Sequence, residues 1–191
     1  MDIYRELFLM QQTYATLFSL SNKIQVKGDQ YLGKLLTSRQ YMTMVAIDHL
    51  SQDKTTLNNI ARKLGTTKQN VKQIVTIMEA KGYVDIVPNP NDKRSVNVII
   101  TEAGKHILYQ VSEKGIFLMA ELFKDFSTEE LKVMWAMLKK LHGFDGEGQD
   151  DFEEDSNIKA EENQKEDVER ILKEFEEIRR EQKVERENNE E

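Results

Sequence analysis

Lys68, Gln69, Asn70, Lys72 and Gln73 alternate with the apolar residues Val71, Ile74, Val75 and Met78. At helical spacing the two sets fall on opposite faces. The polar set, with Thr67 just before it, offers amide groups of the kind that pair with adenine in a major groove, and cations that neutralise phosphate. Further along, the run PNPNDKR gathers both prolines of the chain, Pro88 and Pro90, with Asn89, Asn91 and Asp92. That is turn chemistry, and the turn ends on Lys93 and Arg94. A narrow minor groove attracts arginine through its enhanced negative potential, and Asp92 is placed to brace Arg94. Taken singly, a Lys- and Gln-rich helix face is usually a solvated surface, and an exposed ion pair is worth little. The order of the two runs makes duplex contact the better reading.

The elements that must position them are legible from Thr55 to Gly104. Leu57, Ile60, Ala61 and Leu64 recur at helical spacing behind two candidate caps, Thr55 and Thr56. Gly65 follows where a left-handed cap belongs, and Thr66 and Thr67 offer the next N-cap. Gly82 ends the second helix. Tyr83 to Pro88 and Ser95 to Thr101 have strand composition. Helix, turn, helix and hairpin in this order predict a winged helix-turn-helix.

The flanks predict a helical scaffold. Thr37 with Gln40, and Ser127 with Glu130, form capping boxes, and Thr101 opens a helix reaching about Phe123. Apolar stripes run through Ile3, Leu7, Met10, Tyr14, Leu17 and Phe18, and through Leu131, Met134, Trp135, Leu138 and Leu141. One small winged domain cannot bury such stripes. The alternatives are an intrachain bundle and a homodimer. Twofold symmetry also doubles the bases read, which favours the dimer. The predicted fold is mainly α with a small β-hairpin wing. Residues 1–35 supply an N-terminal dimerisation helix and linker, and 36–101 the DNA-binding domain. Residues 102–143 supply C-terminal dimerisation helices, and 144–191 an acidic linker and charged helical tail.

The net charge of −7 over 191 residues looks wrong for such a protein until it is divided. Residues 1–143 hold 19 basic and 14 acidic residues, whereas 144–191 hold 8 and 20. Between Lys54 and Asn97 there are 8 basic and 3 acidic residues, so the positive charge of the body sits in the proposed DNA-binding unit. In the tail, Val168, Ile171, Leu172, Phe175 and Ile178 share a stripe, and Glu166–Arg170 and Glu176–Arg180 have the favourable spacing for ion pairs. The tail reads as a solubilising extension, a helix docking on another subunit, or an acidic competitor for the basic surface.

Enzymatic chemistry finds no foothold. His49, His106 and His142 lack ligand spacing, so no metal is expected, and no nucleotide or hydrolase motif calls for a cofactor or a catalytic residue. There is no cysteine. No run of apolar residues is long enough for a membrane span, and the N-terminus lacks the features of a secretory signal. A cytoplasmic location is expected.

The run DKRSVNVIITEAGK resembles the wing signature of MarR-type transcriptional regulators. LTSRQYMTMVAI, at Leu36 to Ile47, is similar to the family's helix before the helix-turn-helix, and KLGTTKQNVKQIVTIMEAKGYV is similar to its recognition helix. The likeness covers roughly residues 1–142. It implies a dimer with two winged domains on a palindromic operator, acting as a repressor relieved by a small phenolic or amphipathic effector. Carried over by position, Thr67, Lys68, Gln69, Asn70, Lys72 and Gln73 meet the major groove and its phosphates, Arg94 and Lys93 the minor groove, and Asp92 holds the wing. Phe8, Tyr14, Tyr41, Met42 and Met44 are candidates for an effector pocket, although singly such residues are more often core. The lack of cysteine excludes the thiol-based peroxide sensing of some members. Where members commonly carry arginine at the start of the wing strand, this chain has Asp85 and Ile86. The expected function is sequence-specific binding of double-stranded DNA by a homodimer. The alternative is a winged-helix module that binds another protein through its acidic tail.

Overall fold

The computed structural model describes residues 2–50, 54–146, 152 and 165–189. Helix α1 spans Ile3–Leu32, α2 Ser38–Asp48, α3 Leu57–Lys63 and α4 Lys68–Ala80. Strands β1 (Val84–Pro88) and β2 (Val96–Ile100) form an antiparallel hairpin, in register from Val84 opposite Ile100 to Pro88 opposite Val96. Helices α5 (Glu102–Leu122), α6 (Thr128–His142) and α7 (Lys165–Asn189) follow. The expected order of helix, turn, helix and hairpin on a helical scaffold is present.

Local chemistry sets the helix starts. Thr37 Oγ1 accepts the Gln40 N–H at 3.2 Å while Gln40 Oε1 accepts the Thr37 N–H at 3.1 Å, closing the first capping box. Ser127 and Glu130 close the second in the same way. Thr56, Thr67 and Thr101 cap α3, α4 and α5. Thr55 does not share that duty. It is buried, its carbonyl accepts the Val98 N–H at 3.0 Å, and Thr56 bridges to Asn97. The chain entering α3 thus adds a short third edge to the wing sheet.

The core lies where α2, α3, α4 and the wing meet α5. Met44, Ile47, Ile60, Val71, Val75, Met78, Val84, Val98 and Val111 are its centre. The second helix buries Val71, Val75 and Met78, while Ile74 is only half-buried against the core. Helix α1 joins this core only at its C-terminal end, where Gly28 and Leu32 are its buried residues. The rest of its apolar stripe faces outward: Tyr14 is 75% and Phe18 68% exposed. Helix α6 buries none of its residues, and Trp135 is 53% exposed. Both stripes are therefore present, and most of their residues are exposed among the described residues.

The tail helix has found a place on its own chain. Helix α7 runs parallel to α5, and Ile171 is buried between them. Val168, Phe175 and Ile178 are partly covered, whereas Leu172 points outward at 52% exposure. Arg170 bonds Glu174 at 3.0 Å and Glu113 of α5 at 3.2 Å, rather than pairing with Glu166. Glu176 and Arg180 pair at 3.0 Å, at the expected spacing. The tail's charge is uneven: residues 144–164 hold nine acidic residues and one basic, whereas α7 holds nine and seven. No helix among the described residues is long and apolar enough to cross a membrane.

Candidate nucleic-acid interface

The turn between α3 and α4 is closed by the backbone. Gly65 takes φ +60°, and the Gly65 and Thr66 N–H groups donate to the carbonyls of Arg62 and Ala61 at 3.1 and 2.9 Å. Only a residue without a Cβ enters this region at no steric cost. Thr67 Oγ1 then accepts the Asn70 N–H at 3.2 Å and starts α4. Because Val71, Val75 and Met78 face the core, Thr67, Lys68, Gln69, Lys72 and Gln73 face solvent. They form one continuous polar surface. Asn70 differs. It is half-buried, and its Nδ2 donates to Thr66 Oγ1 at 2.9 Å. Its amide helps to build the turn, which leaves Gln69 and Gln73 as the long amides presented outward.

The wing tip is organised by a side chain that composition marked only as turn-forming. Asn89 is buried, and its Oδ1 accepts the N–H groups of Asn91 and Asp92 at 2.8 and 3.1 Å. Its Nδ2 donates across the hairpin to Oδ1 of the buried Asn97 at 3.0 Å. Asp92 carries the next step, accepting the Arg94 N–H on Oδ1 at 2.9 Å and the Ser95 N–H on its carbonyl at 3.0 Å. The expected brace is present, but it holds the backbone of Arg94 rather than its guanidinium. Lys93 and Arg94 are both exposed at the tip. Asn89 and Asn97 frame the wing tip, a structural role that sequence reasoning missed. The available signal was an asparagine inside a β-branched strand, Val96–Ile100, where a polar residue needs a partner if it faces inward.

The wing root is tied to α5. The Thr101 N–H donates to the Tyr83 carbonyl at 3.1 Å, and Thr101 Oγ1 to that of Gly82 at 2.7 Å. Gly104 passes so close that an added Cβ would stand 2.1 Å from the Tyr83 oxygen. Here the glycine is required by space, since its φ is not left-handed. The long helix and the hairpin are therefore joined by direct backbone contact. Asp85 is exposed on β1 opposite Ile99, and Ile86 is half-buried.

The five candidates for an effector pocket are not gathered within one chain. Met44 is fully buried in the core, and Met42 is exposed. Tyr41 is half-buried with its ring against Gly115 of α5, and burial raises its phenol above the ordinary value. Phe8 and Tyr14 lie on the exposed part of α1. Phe8 precedes Gly28, where α1 meets α2, by five to six turns, or about 30 Å at 1.5 Å per residue. Among the described residues no cluster of three His, Asp or Glu is placed to hold a metal ion.

A polar helix face, a basic hairpin tip and a hairpin root bonded to a long helix define a winged helix-turn-helix fold. The MarR family's sequence model matches residues 36–95, the stretch that carries α2, the helix-turn-helix and the wing tip. Over this unit the chain is similar to the MarR family of winged-helix transcriptional regulators. Among curated proteins it is similar to the transcriptional activatory protein BadR of Rhodopseudomonas palustris, 25% identical, covering 64% of this chain and 72% of that one. Among solved structures it is similar to MepR of S. aureus bound to DNA, with TM-score 0.60 and 27% identity over 67% of this chain and 95% of that one. A MarR variant from E. coli complexed with operator DNA gives TM-score 0.60 and 25% identity, over 74% of this chain and 99% of that one.

Proposed function

We propose that this protein is a homodimeric, sequence-specific regulator that binds a palindromic operator in double-stranded DNA in the cytoplasm. The observation that carries the proposal is the arrangement of exposed groups. Lys68, Gln69, Lys72 and Gln73 share one face of α4, and Lys93 and Arg94 stand at the tip of a wing whose root is fixed to α5. The helix offers amides to base edges and cations to phosphates, while the wing offers arginine to the adjacent minor groove. The MepR–DNA and MarR–operator complexes support the same use of the fold.

The dimer rests on α1 and α6. Ile3, Leu7, Phe8, Tyr14 and Phe18 on one helix, and Trp135, Met137, Leu138 and Leu141 on the other, are exposed apolar residues. A patch of that extent calls for a partner surface, and a second copy offers the same two helices. Repression is the proposed output, by occupancy of DNA that polymerase needs. A phenolic or amphipathic effector would be taken at the seam between α2 and α5 beside Tyr41, with the partner subunit completing the pocket. The alternative of a protein-binding module acting through the tail loses ground because the inner face of α7 is already occupied by α5.

Selection of bound fragments from random duplex DNA by the purified protein tests the proposal. Recovery of one inverted-repeat consensus is expected, and binding that enriches no sequence would overturn it. Transcription from a promoter carrying that sequence, with and without the protein, tests the output. Increased transcription would overturn repression while leaving DNA binding intact.

A further inference from the structure

Helix α7 does more than lie against α5. Its first half is held by apolar contact through Ile171, by the Tyr109 hydroxyl donating to Asp167 at 3.2 Å, and by Arg170 on Glu113. Its second half reaches the end of α5 and the turn beyond it. Arg179 donates from Nη1 to the Phe123 carbonyl and from Nη2 to the Phe126 carbonyl, both at 2.7 Å. Gln182 Nε2 donates to the Ala120 carbonyl at 3.1 Å, and Arg186 Nη1 to that of Lys124.

The last carbonyls of a helix have no partner within it and carry the negative end of its dipole. Here three side chains of one helix satisfy four carbonyls in the last turn of α5 and the connection to α6. A guanidinium suits the place, since its planar fork reaches two oxygens at once and keeps its charge when partly desolvated. Burial first, and then the neighbouring Arg186, lower the Arg179 pKa from its ordinary value. The turn they grip, residues 123–127, joins two parts with different duties. On one side α5 leads back to the wing root at Gly104; on the other α6 carries the exposed apolar face.

We propose that α7 is a clamp on the α5–α6 turn, with Arg179, Gln182 and Arg186 as positioning residues that fix the angle between the dimerising arm and the winged domain. Its consequence for DNA rests on the homodimer reading above. In a dimer that angle sets the separation of the two α4 helices. Half-sites about 34–36 Å apart are read only if that separation is held. The clamp therefore sets the half-site spacing that the protein accepts.

The test uses the full chain, its Arg179→Gln/Arg186→Gln variant and, as a second way of releasing α7, Ile171→Ser. Hydrogen exchange is followed at residues 120–127 and 68–80, and binding is measured on duplexes whose half-sites are moved apart or together by single base pairs. In both variants exchange at 120–127 is expected to rise about tenfold or more, the scale of losing a hydrogen bond to a charged group, while 68–80 keeps its protection. The variants should then bind neighbouring spacings nearly as well as the best one. Unchanged exchange at 120–127 overturns the clamp. Raised exchange with an unaltered spacing preference also overturns it, since α7 would then be stabilising without positioning. If the unaltered protein selects no duplex at all, the DNA reading fails, and exchange alone decides whether α7 grips the turn.

Discussion

Removing the Lys72 side chain should reduce the salt sensitivity of operator binding by a countable amount. Each protomer presents Lys68 and Lys72 on α4 and Lys93 and Arg94 at the wing tip, all exposed. A dimer therefore offers about eight cations to phosphate or groove. At about 0.9 released counterions per neutralised phosphate, the logarithm of affinity falls against the logarithm of salt with a slope of about −7. From 50 to 200 mM salt this is a loss of roughly 10⁴-fold. Lys72→Ala deletes one contact per protomer and should bring the slope to about −5, without changing the preferred sequence. Fluorescence anisotropy with labelled operator over a salt series measures both. A parental slope near zero would refute the electrostatic interface, and an unchanged slope in the variant would remove Lys72 from it.

Four further outcomes follow from contacts described above. Gly104→Ala should destabilise the fold by about 3 kcal/mol or more, because its Cβ cannot share space with the Tyr83 carbonyl; thermal unfolding reads this, and an unshifted midpoint would contradict it. Asn89→Ala removes the acceptor of two wing-tip N–H groups and the donor to Asn97, at a cost of about 1–3 kcal/mol. DNA affinity should fall while α4 keeps its exchange protection, and full affinity would show that the tip needs no such frame. Trp135→Glu places a charge on the exposed face of α6 and should yield monomers by light scattering; an unchanged mass would exclude that face from the interface. Hydrogen bonding from Ser127 holds the Glu130 carboxyl below its ordinary value. Its contribution to stability is therefore complete above the unfolded-state pKa and lost as pH falls through the lower folded value, and Ser127→Ala should move the NMR titration of Glu130 upward.

What could be read in the sequence was what depends on neighbours along the chain. Thr37 with Gln40, Ser127 with Glu130, and Gly65 and Gly82 act over three or four residues, so their types and spacing fix helix ends without knowledge of the fold. The polar outer face of α4 was legible because Val71, Val75 and Met78 leave only one side for Lys68, Gln69, Lys72 and Gln73. What stayed hidden depends on contacts across the chain. Thr55 and Thr56 are chemically equivalent as caps, and only the pairing of Thr55 with Val98 separates them. Asn89 meets Asn97 because the hairpin register places them together, and register cannot be read from turn residues alone. The stripe on α7 announced an apolar face, but not that α5 would cover it. Arg179 looked like one more charge in a charged helix. Asn70 was grouped with the outward amides because its position permits it, and its bond to Thr66 becomes visible only in three dimensions.

The acidity gathered in residues 144–164 changes how the molecule behaves at a distance. Without that segment's nine acidic and one basic residues, a chain of net charge −7 would carry about +1. Beyond a Debye length of about 8 Å at physiological ionic strength, counterions screen local detail. At about 0.01 M salt the Debye length is about 30 Å, and a duplex approaching the proposed basic face would feel the net negative charge first. The same charge keeps copies of the protein apart in a crowded solution. Replacing the acidic residues of 144–164 with their amides should raise the association rate with non-specific duplex far more than it alters dissociation from the operator. Equal association rates in stopped-flow mixing would show that the segment is electrostatically silent.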